Sequence, residues 1–410
     1  MTSFQNIVPF QSSSTAGSAQ AHIIQSDAEA LEIAQHLAEQ FKQTAVTRDA
    51  QRILPFEEIE AYSQSGLWAI TVPKAYGGAE VSSYTVAQVI ALMSGSDGSI
   101  GQIPQNHFYA LEVLRNTGTE QQKQKLYAEV LQGARFGNAL AEFKTKSASQ
   151  KQTSITKTAD GFVVNGEKFY CTGSLFAHRI PTLVKDAEGR EFLAFISRDS
   201  QGLELIDDWS GFGQRTTGSG TVKFNHVAVA AEDVIPFDTA FSEPTLVGPF
   251  AQIMHAAIET GIARAAFEET LVRVRQARPW IDSGVDHATD DPLTKFELGR
   301  IIADVRASEV LLKQAGLSID DARPNPTAEN IAKASLDVAK VRAHSTETAL
   351  KASSKLIELA GSRGSQRADG LDRYWRNARV HTLHDASRWK YYFIANYLLN
   401  GVLPPRRGTL

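Results

Sequence analysis

The chain changes its hydrophobic period twice, and this limits its possible folds more than any other feature. From Ser26 to about residue 135 apolar side chains recur at helical spacing. Ser26 followed by Glu29 matches a capping box, and Leu31, Ile33, Ala34, Leu37, Ala38 and Phe41 follow on one face. The same spacing recurs at Phe56 to Tyr62, Tyr84 to Met93, Phe108 to Leu114 and Gln121 to Leu131, broken by an extended piece and glycine turn at Leu67 to Gly78. From Phe136 to about Val234 short β-rich runs take over: Phe162 to Val164, Lys168 to Thr172, Phe192 to Ile196 and Thr221 to Phe224. Asp160-Gly161, Asn165-Gly166 and Glu188-Gly189 lie between them, the first two being hairpin-type dipeptides. After Pro236 long amphipathic helices are predicted over Gln252 to Arg278, Leu293 to Leu317, Pro326 to Leu359 and Arg367 to Leu399. Asn325-Pro326 reads as a helix start and Gly361 as a stop.

This pattern predicts an α+β chain in three parts. A flexible tail covers 1–25, with its Ser/Ala/Gln-rich stretch at Gln11 to Gln20. A helical domain covers 26–135, a compact antiparallel β-barrel or sandwich 136–240, and a four-helix bundle 241–410. With 410 residues the chain has room for two or three domains. A formal net charge of -4 gives no basic field for nucleic acid or for an anionic membrane surface. The single cysteine, Cys171, excludes an internal disulfide and a cysteine-cluster metal site and reads as a packing residue. No apolar run is long enough to span a bilayer, and the first twenty residues lack the pattern of a signal peptide, so a cytoplasmic protein is expected.

The order of parts, with particular residues at the seams, resembles the acyl-CoA dehydrogenase superfamily from about Asp27 to Arg406. Leu67 to Gly78 looks like that family's segment ending in P-x-x-x-G-G, and Asn165 to Gly173 is similar to its G-x-K-x-W-I-T-N strand beside the flavin. Phe212 to Val222 resembles its G-x-R-x-S-x-T hairpin, and Leu359 to Arg363 its Q-x-x-G-G helix end. Gly101 to His107, Asp208 to Arg215, Arg278 to Gly284 and Asn377 to Asp385 look closest to the SfnB-type sulfur-acquisition oxidoreductases, relatives of dibenzothiophene monooxygenase. The resemblance implies a homotetramer with each flavin near a subunit boundary. It also implies reduced FMN supplied by a separate flavin reductase, and O2 activated on the flavin to oxygenate a small-molecule substrate. FAD as cofactor of an acyl-CoA dehydrogenase is the alternative, and a weakly catalytic accessory protein of the same fold is a third reading.

At the position of the dehydrogenase's catalytic glutamate stands Asp385, preceded by His384. Losing one methylene withdraws the carboxylate by ~1.5 Å, and a misplacement of about 1 Å costs on the order of a hundredfold in proton abstraction. Glu259, on an earlier predicted helix, stands near the family's other base position. His384 can instead donate to an oxygen of a flavin hydroperoxide, since imidazole titrates in the physiological range; Asp385 is then a candidate to orient it, and His381 a structural neighbour. Asn138 both donates and accepts and could bind the flavin's polar edge. Tyr170 and Thr172, if alternating on one strand, share a face toward the flavin. Trp209 is read as a pocket wall or as core. By the resemblance His107 approaches the substrate side of the ring, its alternative being a solvent-facing helix start. Arg275 or Arg278 stands near the family's R-x-x-F position, which contacts flavin phosphate across a subunit interface; Gly361, Ser362 and Arg363 form a turn that could add amides and a cation, or be only a helix stop. There is no dinucleotide fingerprint after a strand and no Walker loop, so tight NAD(P)H binding is not expected.

Overall fold

The structure, a computed structural model, describes residues 21–142 and 152–409. The first helical part comprises α1 (Asp27–Lys42), α2 (Ala45–Gln51), α3 (Phe56–Gln64), α4 (Ser83–Ser96), α5 (Gly98–Gln102), α6 (Gln105–Thr117) and α7 (Glu120–Leu131). The cap at Ser26 is half of the expected box. Its hydroxyl accepts from Glu29 N at 3.2 Å, but the Glu29 carboxylate turns to Gln25 N and His22. A complete capping box instead starts α7, between Thr119 and Gln122. The tail expectation needs correcting at its end: Ala21 and Ile24 are buried and His22 N bonds to Gln64 O, so residues 21–25 pack onto the domain. The stretch Gln11 to Gln20 lies outside the described residues.

The middle part contains β1 (Ser154–Thr158), β2 (Gly161–Lys168), β3 (Arg179–Lys185), β4 (Glu191–Ser197), β5 (Leu203–Ile206), β6 (Thr221–Val229) and β7 (Val234–Pro236). They form one sheet in the order β5-β6-β2-β1-β3-β4-β7, antiparallel except for a short parallel β1–β3 contact. The sheet has two ends, so a closed barrel is not formed. Asp160-Gly161 makes the β1–β2 turn as expected, with Gly161 at φ 137°. Asn165-Gly166 does not turn the chain. It lies inside β2 where the register against β6 shifts, and Gly166 at φ 143° absorbs the irregularity. The expected strand over Lys168 to Thr172 ends at Lys168, because Tyr170 takes a left-handed φ of 56°.

The last part holds α8 (Thr239–Ser242), α9 (Val247–Gln276), α10 (Pro292–Ala322), α11 (Ala328–Leu359), α12 (Asp372–His381) and α13 (Arg388–Asn400). The expected fourth long helix is thus two helices, and the break between them, Thr382 to Ser387, carries His384 and Asp385. Gly361 is the stop that was expected, at φ 70° directly after α11. One hydrophobic core joins both helical parts, with α4 against α9; a second, smaller core fills the sheet. Backbone approaches backbone at Gly261, where an added Cβ would stand 2.1 Å from Ala91 O. No helix among the described residues is long and apolar enough to cross a membrane.

Candidate active site

Helix α9 is buried over most of its first five turns, and on one face it places His255 and Glu259 four residues apart. Glu259 is fully buried and fully partnered. Its Oε1 meets Arg342 Nη1 at 2.5 Å, and its Oε2 accepts from Ser345 at 2.8 Å and Thr346 at 2.9 Å, all three on α11. His381, the last residue of α12, brings Nδ1 to 3.1 Å from Glu259 Oε1 and Nε2 to 3.1 Å from His255 Nδ1. Burial acts to raise the Glu259 carboxyl, but Arg342, His381 and Ser345 outweigh it and hold it below the usual range.

The break after α12 sets His384 and Asp385 at the edge of this cluster. Asp385 is held by Arg342 Nη2 at 3.3 Å and Lys390 Nζ at 3.4 Å, and these two cations outweigh burial to lower its carboxyl. Lys390 is itself buried and tied to the C-terminal segment. It donates to Gln252 Oε1 at 3.2 Å and to Thr409 O, while Gln252 donates to Gly408 O at 2.9 Å. The expectation that Asp385 orients His384 is not met, since His384 Nδ1 and Asp385 Oδ2 stand 4.0 Å apart, beyond a hydrogen bond. His384 lies instead on the face of His255, ring centroids 3.9 Å apart. Crowding by protein pushes its imidazole down to about 4, though 42 % of the side chain is open to solvent, which softens that desolvation. A cavity of about 350 Å³ adjoins the cluster, walled by Asp385, Trp389, Lys390, Phe393, Arg407 and Thr409.

A second polar face belongs to the β part. Asn138 donates through Nδ2 to Tyr170 O at 3.2 Å, and its Oδ1 is buried with no partner among the described residues. Thr172, Ser219 and Thr217 form a hydroxyl chain with spacings of 2.7 and 2.6 Å, ending on Gln214 O at 3.0 Å. Both amide atoms of the Gln214 side chain are buried and unpartnered among the described residues. Trp209 Nε1 also donates to Gln214 O, at 2.7 Å, and its ring meets Tyr170 edge-on at 6.2 Å. The left-handed turn at Tyr170 overturns the reading that it shares a strand face with Thr172: Tyr170 is exposed and Thr172 buried.

Helix α12 joins the two faces. Gln214 N donates to Asn377 Oδ1 at 2.7 Å, and Asn377 precedes His381 by four residues, about 6 Å along the axis. An added Cβ at Gly213 would stand 2.0 Å from Arg376 O, so only glycine lets the 207–220 hairpin lie this close to α12.

The expectation for His107 is corrected. It is fully buried among Trp68, Phe108 and Phe136, with Nε2 bonded to Trp68 O at 2.7 Å and Nδ1 accepting from Phe136 N at 3.0 Å. Burial pushes its imidazole down to about 3, and neither ring nitrogen is left for a ligand. Arg275 and Arg278 are exposed at and just past the end of α9, near the Gly361 to Arg363 turn; Arg273, Gln276 and Arg363 line an open, shallow recess there. Along α9, Arg275 is about 30 Å from His255, far beyond the reach of one mononucleotide within one chain. Sequence reasoning missed His255, Gln214, Ser219, Arg342 and Lys390. The paired spacings His255/Glu259 and His381/His384 were the available signal.

A flavin suits these residues. The edge of its pyrimidine ring alternates donors and acceptors, and the orphaned Asn138 carbonyl oxygen, the unspent Gln214 amide and the adjacent hydroxyl chain offer both kinds. Among the described residues no cluster of histidine, cysteine and carboxylate side chains could hold a metal ion.

Residues 28–134 match the acyl-CoA dehydrogenase N-terminal domain and residues 253–389 the acyl-CoA dehydrogenase C-terminal domain. The chain is 31% identical over 396 residues to dibenzothiophene monooxygenase of Rhodococcus qingshengii, covering 92% of this chain and 95% of that protein. It is 29% identical to a probable FMNH2-dependent monooxygenase of Pseudomonas putida, SfnC, covering 92% and 96%. Among solved structures it superposes on FMN-bound TdsC from Paenibacillus sp. A11-2 with a TM-score of 0.89 at 28% identity, covering 93% of this chain and 100% of that one. With both helical domains matched and the similarity running nearly end to end, the chain belongs to the acyl-CoA dehydrogenase superfamily, among its dibenzothiophene monooxygenase-like members.

Proposed function

We propose that this protein is a two-component flavin monooxygenase that takes reduced FMN from a separate reductase and oxygenates a small organosulfur compound. The observation that carries the reading is the state of the two carboxylates. A dehydrogenase needs a free carboxylate base, whereas Glu259 is sealed in the core and Asp385 is neutralised by Arg342 and Lys390. The open group is His384. The matches to an FMNH2-dependent monooxygenase and to an FMN-bound structure support FMN over FAD.

Reduced FMN, when bound, supplies the electrons that activate O2. Around it Asn138, Gln214, Thr172 and Ser219 hold the polar ring edge, while Tyr170 and Trp209 flank the ring. His384 holds and delivers a proton at an imidazole nitrogen, and the docked C-terminal segment helps to exclude water. The cavity beside Asp385, with Trp389 and Phe393 in its wall, receives the substrate. Arg275 or Arg278, with the Gly361, Ser362 and Arg363 turn, grips the phosphate of a flavin held by a neighbouring subunit, as a homotetramer allows. His384→Ala tests the assignment: FMN affinity changes by less than about threefold, while product formed per O2 consumed falls by about a hundredfold, as for loss of a general acid. Equal coupling in variant and wild type removes His384 from the chemistry.

A further inference from the structure

Resting on the monooxygenase reading, we propose that His255 is the positioning residue for His384, holding it by face contact so that both of its ring nitrogens stay free for cofactor and oxygen. A hydrogen-bonding orienter would consume one of them. Among the described residues no hydrogen bond reaches the His384 ring; its backbone N–H donates to His381 O at 3.0 Å, and Asp385 stands 4.0 Å from its Nδ1. What fixes the ring is the His255 face, 3.9 Å away between centroids with 36° between planes.

The His255 ring is itself locked by a chain of contacts that starts on α11. Arg342, Ser345 and Thr346 immobilise Glu259. As a carboxylate Glu259 only accepts, so His381 Nδ1 donates to it. The other His381 nitrogen, Nε2, stands 3.1 Å from His255 Nδ1, so one proton bridges the two rings. The plane of His255 is thereby set by α9, α11 and α12 together.

The charges facing this chain balance without a histidine cation. Glu259 and Asp385 carry two negative charges, and Arg342 and Lys390 carry two positive ones. A proton on His384 disfavours one on His255, whose imidazole burial already holds well below its usual range. His384 therefore titrates against the uncharged face of His255.

Imidazole NMR on flavin-free, nitrogen-15 histidine-labelled protein tests this, alongside product formed per O2 with FMNH2 and dibenzothiophene. His255→Ala should raise the His384 pKa as water replaces the covering ring, and should lower coupling at least fivefold with FMN affinity within threefold, on the scale of a lost positioning contact. His255→Phe keeps a flat ring but cannot bond to His381, and it should recover at least half of wild-type coupling. Where the alanine variant does not fold, His255→Gln replaces it and should behave as the variant without a stacked ring. An unchanged His384 titration and coupling in the alanine or glutamine variant would overturn the proposal, as would a phenylalanine variant no better than that one. If wild type forms no oxygenated product from dibenzothiophene or from other small organosulfur compounds, the monooxygenase reading fails, while the titration in flavin-free protein still decides the role of His255.

Discussion

At the residue scale, Glu259 sets a buried carboxylate against a buried guanidinium with every oxygen engaged. Its folded pKa lies below the ordinary 4.5. Its contribution to stability is therefore complete above 4.5 and is lost as pH falls through the folded value. Glu259→Gln should cost about 3–5 kcal/mol near neutral pH, because Arg342 keeps its charge in the core after losing its closest partner. The variant should also show a flatter acid limb when urea unfolding is measured from about pH 3 to pH 7. Equal stability across that range would mean that the pair is not the anchor described here. His384 could be found in the sequence because it stands beside the position where relatives carry their base. For His255 the sequence offers only its four-residue spacing from Glu259, since its partner His381 lies 126 positions away and only the fold brings them together. The placement of Tyr170 is not legible in the sequence, because residue alternation contains no information about a single left-handed φ. Nor is the burial of His107, because a polar residue early in a helix gives no sign that both its nitrogens are satisfied inside the core.

At the element scale, periodicity found α9, α10 and α11 with ends displaced by a few residues, since long amphipathic runs leave little choice of structure. It ran α12 and α13 together, because Thr382 to Ser387 contains neither glycine nor proline and the break is made by tertiary contacts. Asp385 is drawn to Arg342 and Lys390, and the α13 start is drawn toward the C-terminal segment through Lys390. The Asn165-Gly166 pair was read as a turn since its chemistry suits one, yet it serves as a strand irregularity with the same φ requirement. The docking of the 207–220 hairpin on α12 gives a test of how the two polar faces are held together. Gly213→Ala should destabilise the fold by about 1–3 kcal/mol through overpacking against the Arg376 carbonyl. It should also weaken FMN binding by roughly tenfold, about 1.4 kcal/mol, as Gln214 moves away from Asn377. Wild-type melting temperature together with wild-type FMN affinity would show that the hairpin contact does not build the site.

At the scale of the whole molecule, the two helical parts are one body with a common core, and the sheet is attached to it with a core of its own. Sequence reading separated three parts and did not anticipate that the first and third would merge, because the packing of α4 on α9 joins residues more than 150 positions apart. Because Arg275 stands about 30 Å from His255 along α9, the proposed phosphate grip requires a second subunit. An Arg275→Ala, Arg278→Ala double variant should bind FMN at least about tenfold more weakly. Hybrids that pair it with His384→Ala subunits should regain activity, since each flavin would draw its phosphate site and its histidine from different chains. Unaltered FMN affinity in the double variant would place the phosphate elsewhere. The central claim, that the flavin here activates oxygen instead of dehydrogenating a thioester, is tested most directly by isotope. Protein supplied with FMNH2, oxygen-18 gas and a set of small organosulfur compounds should give an oxygenated product carrying the heavy isotope, read by mass spectrometry. An unlabelled or absent product, together with anaerobic reduction of bound flavin by an acyl-CoA, would contradict it.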